Sequence, residues 1–424
     1  MKIASAVIRS VAALLIAALF LSAFIAAAES TKKVFPFGMG STGGLGGQII
    51  RVTNLEKEGP GSLREALDTK GPRIVVFEVG GVIDLDWRGI TIREPFLSIA
   101  GQTAPSPGIS LIKGGIVIRT HDVMIQHIAV RPGNPIKEGI KTWASDAITT
   151  SAHGKSRGKV YNIVIDHCSG TWASDENMSV SGPPDSKGDI TTHDVLFRHC
   201  IIAEGLLHAT HRKGAHSRGS LVMDGCSRIA FVGNLFAHNN QRHPLFKGGS
   251  SGILVNNLIV NPGSRCINMT STGHRKHLGK PIVSVISNVM MPGRNTRTGF
   301  FNERGDIYAR DNFVLKSGKR HPVKKYGKNR KIWADSITPL PADDVRKFVL
   351  RNAGSRPADR CPVDARIIRD CREGKGRIIN TQDQVGGFPK HKMKQRKLTI
   401  PKTNIQEWLK KMARKVEGIP SEKD

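Results

Sequence analysis

Seven segments of the chain share one local shape: a short run of alternating aliphatic positions that ends at a His or Asn followed by an apolar residue. They are Val123 to Ile128, Ile163 to Cys168, Val195 to Cys200, Ile229 to Leu235, Ile253 to Leu258, Val283 to Val289 and, more loosely, Ile307 to Phe313. Alternation over so few residues predicts strands. Their marker positions, His127, His167, His199, Asn234, Asn257, Asn288 and Asn312, are 40, 32, 35, 23, 31 and 24 residues apart. A minimum near 23 with variable excess predicts the coils of a solenoid that carries insertions of different length. Each coil returns the chain one strand spacing, about 4.8 Å, above itself, so the markers stack as a ladder at a bend. The residue after each marker, Cys168 above Cys200 for example, then points inward. The expected fold is all-β, a parallel β-helix; an antiparallel sandwich is the alternative, disfavoured because two-residue hairpin turns are scarce between the segments.

Such a fold exposes an open core at its ends. Gly61 to Leu67 predicts a short helix with Ser62 as N-cap, Glu65 as its capping-box partner and Leu63, Ala66 and Leu67 as an apolar face, an N-terminal lid. Ala342 to Leu350 and Ile405 to Val416 also predict helices, and the chain beyond about residue 340 is expected to pack along the outside or the far end. The glycine-rich Gly38 to Gly47 continues as Gln48-Ile49-Ile50-Arg51-Val52, a strand and not the helix that a phosphate-binding loop must open, so it predicts a turn. Asp166-His167-Cys168-Ser169 has the content of a catalytic relay. Neighbours in a strand alternate faces, however, which assigns His167 to the ladder.

Residues 1–28 fit a signal peptide: Lys2 and Arg9 precede an apolar run from Val11 to Ala28 broken only by Ser22, and Ala26-Ala27-Ala28 fits cleavage before Glu29. The expected location is secreted or periplasmic, with no membrane attachment after cleavage. The remaining part shows no linker-like tract, which predicts one elongated domain: a β-helix over 29–340 and a basic extension over 341–424 packing on it. Aromatic residues make up only 5% while glycine numbers 45, which implies short strands, many turns and an aliphatic interior. Six cysteines in an exported chain permit disulfides. Cys361 and Cys371 are the better candidate pair, and buried thiols are expected for Cys168, Cys200, Cys226 and Cys266.

The formal net charge is +29, and +27 once Lys2 and Arg9 are removed, so the surface should attract polyanions. Lys316 to Lys331 holds eight Lys/Arg and Lys390 to Lys397 holds five. Neither run is interleaved with aromatics for base stacking, which favours an acidic polysaccharide over nucleic acid. Against this basic background, Asp146 and the pair Asp175-Glu176 occupy comparable places, each at the start of the strand before the next marker segment. Carboxylates stacked that closely favour a hard cation held by several oxygens. The segment from His211 to Gly219 collects His211, Arg212, Lys213, His216 and Arg218 on one loop. Farther on, Arg242-His243-Pro244-Leu245-Phe246-Lys247 sets two cations along one extended stretch, spaced to grip successive carboxylates of a polyuronate.

Taken in order, four stretches resemble the pectate lyases of polysaccharide lyase family 1: Gly59-Pro60-Gly61-Ser62-Leu63-Arg64-Glu65-Ala66-Leu67, Ile99-Ala100-Gly101-Gln102-Thr103-Ala104-Pro105, Ile165-Asp166-His167-Cys168-Ser169, and Arg242-x-Pro-x-x-Lys247. The resemblance runs from about Gly38 to Pro389. It implies a right-handed, single-stranded pectin-lyase-like β-helix and calcium-assisted cleavage of polygalacturonate by β-elimination. By resemblance Asp146 matches the first Ca2+ ligand, with Asp175 and Glu176 in the region of the others. Lys213 matches the lysine on the substrate carboxylate, with His216 and Lys247 also placed toward substrate, and Arg242 matches the base. Two departures stand out. Lys247 replaces the second motif arginine and loses its bidentate fork, and the region of Ser179 lacks a further acid. A hydrolase, a lyase acting on another uronate polymer and a non-catalytic polyanion-binding β-helix are the rival readings.

Overall fold

A computed structural model describes residues 37–135, 142–183, 186–270, 277–302 and 305–420; the expected signal peptide lies outside the described residues. Gln48–Val52, the strand foreseen after the glycine-rich turn, opens a parallel sheet whose later members include Val123–Gln126, Ile163–Asp166, His193–Arg198, Ser227–Val232, Ser251–Val255, Ile282–Ile286 and Asp306–Arg310. Each predicted segment therefore contains a strand, and all of them pair in one sheet. From this first sheet the chain passes to a second, through Ile116–Ile118, Ile148–Ser151, Glu176–Ser181, Arg218–Val222, Leu245–Lys247 and Asn268–Thr270, by way of a third that holds Ile128–Arg131, Ser169–Thr171, Ile201–Ala203, Leu235–Ala237, Leu258–Val260 and Val289–Met291. One coil thus runs first sheet, third sheet, second sheet, and back. This is a parallel β-helix, and residues Pro36–Asp424 form one unit.

Inside, the alternation places Ile125, Ile165, Phe197, Phe231 and Leu254 in one buried column, with Phe197 and Phe231 stacked at 4.9 Å between ring centroids. Identical spacing from coil to coil lets like side chains pack on like. The lid is present: Leu63–Asp68 is helical, Ser62 Oγ accepts from the Glu65 amide, and Leu63, Ala66 and Leu67 are buried. Glu65 reaches back to the Gly61 amide, one residue earlier than the expected partner. Fully buried Arg73 fastens this end by donating to the carbonyls of Ala66, Leu67, Gly71, Glu94 and Pro95.

The ladder is real, but its composition differs from the expected one. Pairing of Asp166 with Gln126 and Arg198, and of Arg198 with Val232, sets His127, His167 and His199 level with Gly233, not with Asn234. The asparagines lie one residue farther along, level with Cys168 and Cys200, and turn inward. There Asn234 donates to Asn257, Asn257 to Asn288 and Asn288 to Asn312 through both amide and side-chain N–H groups. The histidines form a separate column of left-handed residues, with φ between 48° and 57°, outside the core; His127 and His167 stack, and His199 is tilted against His167. That dihedral also corrects the relay argument: His167 has left the strand, so its Nδ1 lies 2.9 Å from Asp166 Oδ1. Ser169, by contrast, donates to Asp364, and no triad forms. Asn257→Ala would strand the Asn234 amide and the Phe231 carbonyl in the core, at about 1–3 kcal/mol for each unsatisfied group. The expected outcome is a melting temperature several degrees lower, read by circular dichroism.

Beyond residue 340, helices Ala342–Asn352 and Pro362–Glu373 cover the outside of the third sheet. Val345, Val349, Ile367 and Ile368 pack on Ile201, Leu235, Leu258 and Val289; the last three follow the markers Asn234, Asn257 and Asn288 and face outward, not inward as expected, because the asparagines take the inward places. The second of these helices was not foreseen. Its Asp364 pairs with Arg131 at 2.7 Å with neither side chain exposed, and its Arg366 grips Glu204 with two 2.7 Å bonds. Helix Ile405–Glu417 lays Ile405, Trp408, Leu409 and Met412 on the outside of the first sheet, against Ile74, Val76 and Ala100. All six cysteines are free and buried. Cys361 is the N-cap of helix Pro362–Glu373 and Cys371 lies in its last turns, roughly 15 Å farther along its axis, too far to bridge.

Candidate active site

Register builds the site. Ile148 pairs with Met178 and Met178 with Ser220, so the residues two places earlier, Asp146, Glu176 and Arg218, stand in one column where the chain bends from the third sheet into the second. Ile148 and Met178 point inward and are buried, which turns Thr149 and Ser179 to the outside. Thr149 Oγ1 and Ser179 Oγ lie 2.6 Å apart, Ser179 also bonds Asp146 Oδ2, and the Glu176 amide donates to Asp146 Oδ1 at 3.1 Å. Asp175, on the bend itself, completes the group. One oxygen from each of Asp146, Asp175 and Glu176 lies within 4.8 Å of the others.

The loop between the third-sheet strand Ile201–Ala203 and the second-sheet strand Arg218–Val222 folds over this cluster. His211 Nε2 and His216 Nε2 approach the two oxygens of Asp175 at 3.4 and 3.6 Å. Their own positions are set by His216 Nδ1 on the Gly214 carbonyl and by the Lys213 amide on His211 Nδ1. Lys213 itself sits at the exposed tip of that turn. One coil farther, Arg242 adopts φ 68°, a left-handed conformation that costs a non-glycine residue about 1–3 kcal/mol. The turn directs its guanidinium back to an ion pair with Glu176. Lys247, on the second sheet, pairs with Asp224 at 2.8 Å. The structure thus brings Asp146, Asp175, Glu176, His216 and Arg242 together, and leaves Lys213 and Lys247 on the margins, one exposed and one held by an acid.

Electrostatics follow from crowding. Burial first, and the neighbouring Asp175 second, push the Asp146 carboxyl up to about 7, against the pull of Ser179 and Arg242. Burial pulls the Arg242 guanidinium down to about 10, although Asp175 and Asp146 oppose it. Arg218 is likewise lowered by burial and supported by Asp175. Three carboxylates face two arginines, a net charge of −1 once all three are ionised, and burial holds one of the acids, Asp146, partly protonated near neutrality. Those are the properties of a site that fits a hard divalent cation: clustered oxygens, more anionic than their protein neighbours neutralise, on a preformed bend. Because Asp146 must lose its proton to join such a set, cation affinity should fall as pH drops below about 7 and level off above it. Calorimetric Ca2+ titrations in buffers of different ionisation enthalpy should detect proton release at pH 6 and little at pH 8.5.

Ser179 was not singled out as a site residue from the sequence, and Arg218 was grouped only with the basic loop. A usable signal was there: Asp146-Ala147-Ile148, Glu176-Asn177-Met178 and Arg218-Gly219-Ser220 align once the strands are placed side by side. His211 was grouped with the basic loop, yet it serves to hold an acid.

Comparison with known proteins agrees with this architecture. Two proteins described as probable pectate lyase C, from Aspergillus flavus and Aspergillus oryzae, are each 32% identical to the chain over 392 residues, covering 88% of it and 84% of their own length. Among solved structures, the cedar pollen allergen jun a 1 superposes with a TM-score of 0.55 at 16% identity, over 76% of the chain and 92% of the allergen, a likeness of fold. No protein-family model matches the chain.

Proposed function

The chain belongs to the pectate lyase family of polysaccharide lyases, and on that premise we propose that it cleaves polygalacturonate by calcium-assisted β-elimination with Arg242 as the base. The observation that carries the reading is the placement of a buried guanidinium, brought down to about 10 by burial, against a cluster of three carboxylates. Asp146, Asp175 and Glu176 would hold Ca2+, which neutralises the uronate carboxylate and makes the adjacent proton more acidic.

The protein's residues account for the rest. A C5 proton is poorly acidic because its removal adds charge beside an existing anion, so cations on that carboxylate stabilise the developing enolate. Lys213 suits this role by its position at the tip of the loop over the cluster, whereas Lys247, farther along the second sheet, is held by Asp224. Arginine is normally too basic to accept a proton, and burial is the physical route by which Arg242 becomes competent. As the neutral guanidine, Arg242 takes the C5 proton, the electron pair forms the C4–C5 double bond, and the C4–O bond breaks, leaving an unsaturated end on one fragment and an oxygen that takes a proton from water on the other. The apolar amino-terminal segment fits an exported enzyme that meets its polymer outside the cell. Incubation with polygalacturonate, first with Ca2+ and then with chelator, tests the proposal: unsaturated product that requires Ca2+ supports it, whereas reducing ends without unsaturation, or binding without cleavage, would overturn it.

A further inference from the structure

On the bend between the first and third sheets, away from the strand starts that carry Asp146 and Glu176, the histidine column meets the last helix. His127 and His167 stack at 5.0 Å with their planes 10° apart, and Glu417, the final residue of helix Ile405–Glu417, reaches both. Glu417 Oε1 lies 3.2 Å from His127 Nε2 and 3.6 Å from His167 Nδ1. The His127 ring is fully buried, and its other nitrogen, Nδ1, lies 2.9 Å from the Ser355 carbonyl. A carbonyl only accepts, so Nδ1 carries the hydrogen, and in the neutral ring Nε2 presents a lone pair to a carboxylate oxygen. Two acceptors at 3.2 Å repel unless a cation lies between them. Neither His127 Nε2 nor His167 Nδ1 is aligned for a hydrogen bond, although both are buried. His167 Nδ1 also lies 2.9 Å from Asp166 Oδ1, on a carboxylate that takes two bonds from Arg198 and one from Gln126. Glu417, moreover, stands at the C-terminal end of its helix, where the macrodipole disfavours an anion.

We propose that a zinc-class divalent transition-metal ion binds His127 Nε2, His167 Nδ1 and Glu417 Oε1 and fastens the last helix to the β-helix. Imidazole nitrogens with one carboxylate suit zinc and its neighbours, whereas calcium takes oxygens alone, so this site is chemically distinct from the carboxylate cluster. Bonds of about 2.0–2.2 Å in a tetrahedron put ligand atoms roughly 3.4 Å apart, and the two carboxylate-to-imidazole separations bracket that value. The Ser355 carbonyl supplies the partner that metal-bound histidines use to fix their tautomer. Together Asp166, Glu417 and Arg198 carry a net charge of −1, which attracts a dication.

The test uses the full chain, stripped with chelator and then titrated separately with Zn2+ and Co2+. Stoichiometric Zn2+ by elemental analysis and the intense visible absorption of tetrahedral Co2+ are expected in the parent. Both should weaken by at least about tenfold in His127→Asn and in Glu417→Gln. Asparagine is chosen because Asn256 occupies the same column on a later coil, and thermal melts confirm that each variant folds. Zn2+ should also slow proteolysis of the last helix in the parent and leave it unchanged in the variants. No uptake by the parent, or equal uptake by parent and both variants, would overturn the proposal; in the first case a proton occupies the contact.

Discussion

Arg242→Lys is expected to lower polygalacturonate turnover by about 10²- to 10⁴-fold, the range that general-base catalysis supplies, in a chain that still folds and still binds its cation. Lysine keeps the positive charge opposite Glu176, so substrate attraction should change little and the loss should fall on kcat more than on KM. What lysine cannot reproduce is the reach of the guanidinium from a left-handed turn at φ 68° to the Glu176 carboxylate. Because burial is what brings Arg242 down to about 10, the pH profile of the parent should rise through the alkaline range, whereas that of the variant should not follow it. Equal kcat for a folded Arg242→Lys chain would remove Arg242 from the chemistry.

The second large effect is expected from Asp146→Asn, and it has two opposite signs. Calcium affinity should fall at least tenfold. One unit-charge contact at an effective dielectric near 20 is worth about 4 kcal/mol at roughly 4 Å, well beyond the 1.4 kcal/mol that tenfold requires. In chelator at pH 8, however, the variant should melt higher than the parent. The folded-state pKa of Asp146 lies near 7 and the ordinary value is 3.8, so the folded chain binds the extra proton across that window. Stability therefore falls as pH rises from about 4 to 7, and the whole penalty is present at pH 8. Asparagine removes the charge and retains an oxygen to accept from the Glu176 amide. At pH 3, where Asp146 is protonated in both states, the advantage should vanish. A variant less stable than the parent in chelator at pH 8 would contradict the assignment of a strained carboxylate.

How much of this was legible depends on what each residue type reports. Strand alternation and variable spacing announce the solenoid because a buried column must repeat on every coil, and Ile165, Phe197 and Phe231 obey that rule. The ladder was misaligned by one residue since His199-Cys200 and Asn234-Leu235 look alike as a polar residue before an apolar one. Only pairing distinguishes them: His199 is level with Gly233, and Leu235 faces outward into the cluster with helices Ala342–Asn352 and Pro362–Glu373. Helix Pro362–Glu373 was itself missed. Its buried face includes Asp364, whose partner Arg131 lies more than two hundred residues away, a pairing that no local pattern displays.

The site shows the same division. Asp146, Asp175 and Glu176 stood out because acids are scarce in so basic a chain. The column that joins them to Arg218 needed register, and the direction of Arg242 needed a backbone angle. The role of His211 and His216 as supports for Asp175 arises from a loop that folds over a neighbouring coil. The cationic groups flagged for substrate separate in the same way: Lys247 is held by Asp224, and Lys213 remains exposed at the tip of its turn.

The most direct measurement is the ratio of unsaturated ends to new reducing ends formed from polygalacturonate in calcium buffer. Elimination by this chain predicts one unsaturated end for every new reducing end, with both falling to background in chelator. Reducing ends that accumulate with no unsaturation, or at an undiminished rate once calcium is removed, would contradict calcium-assisted β-elimination.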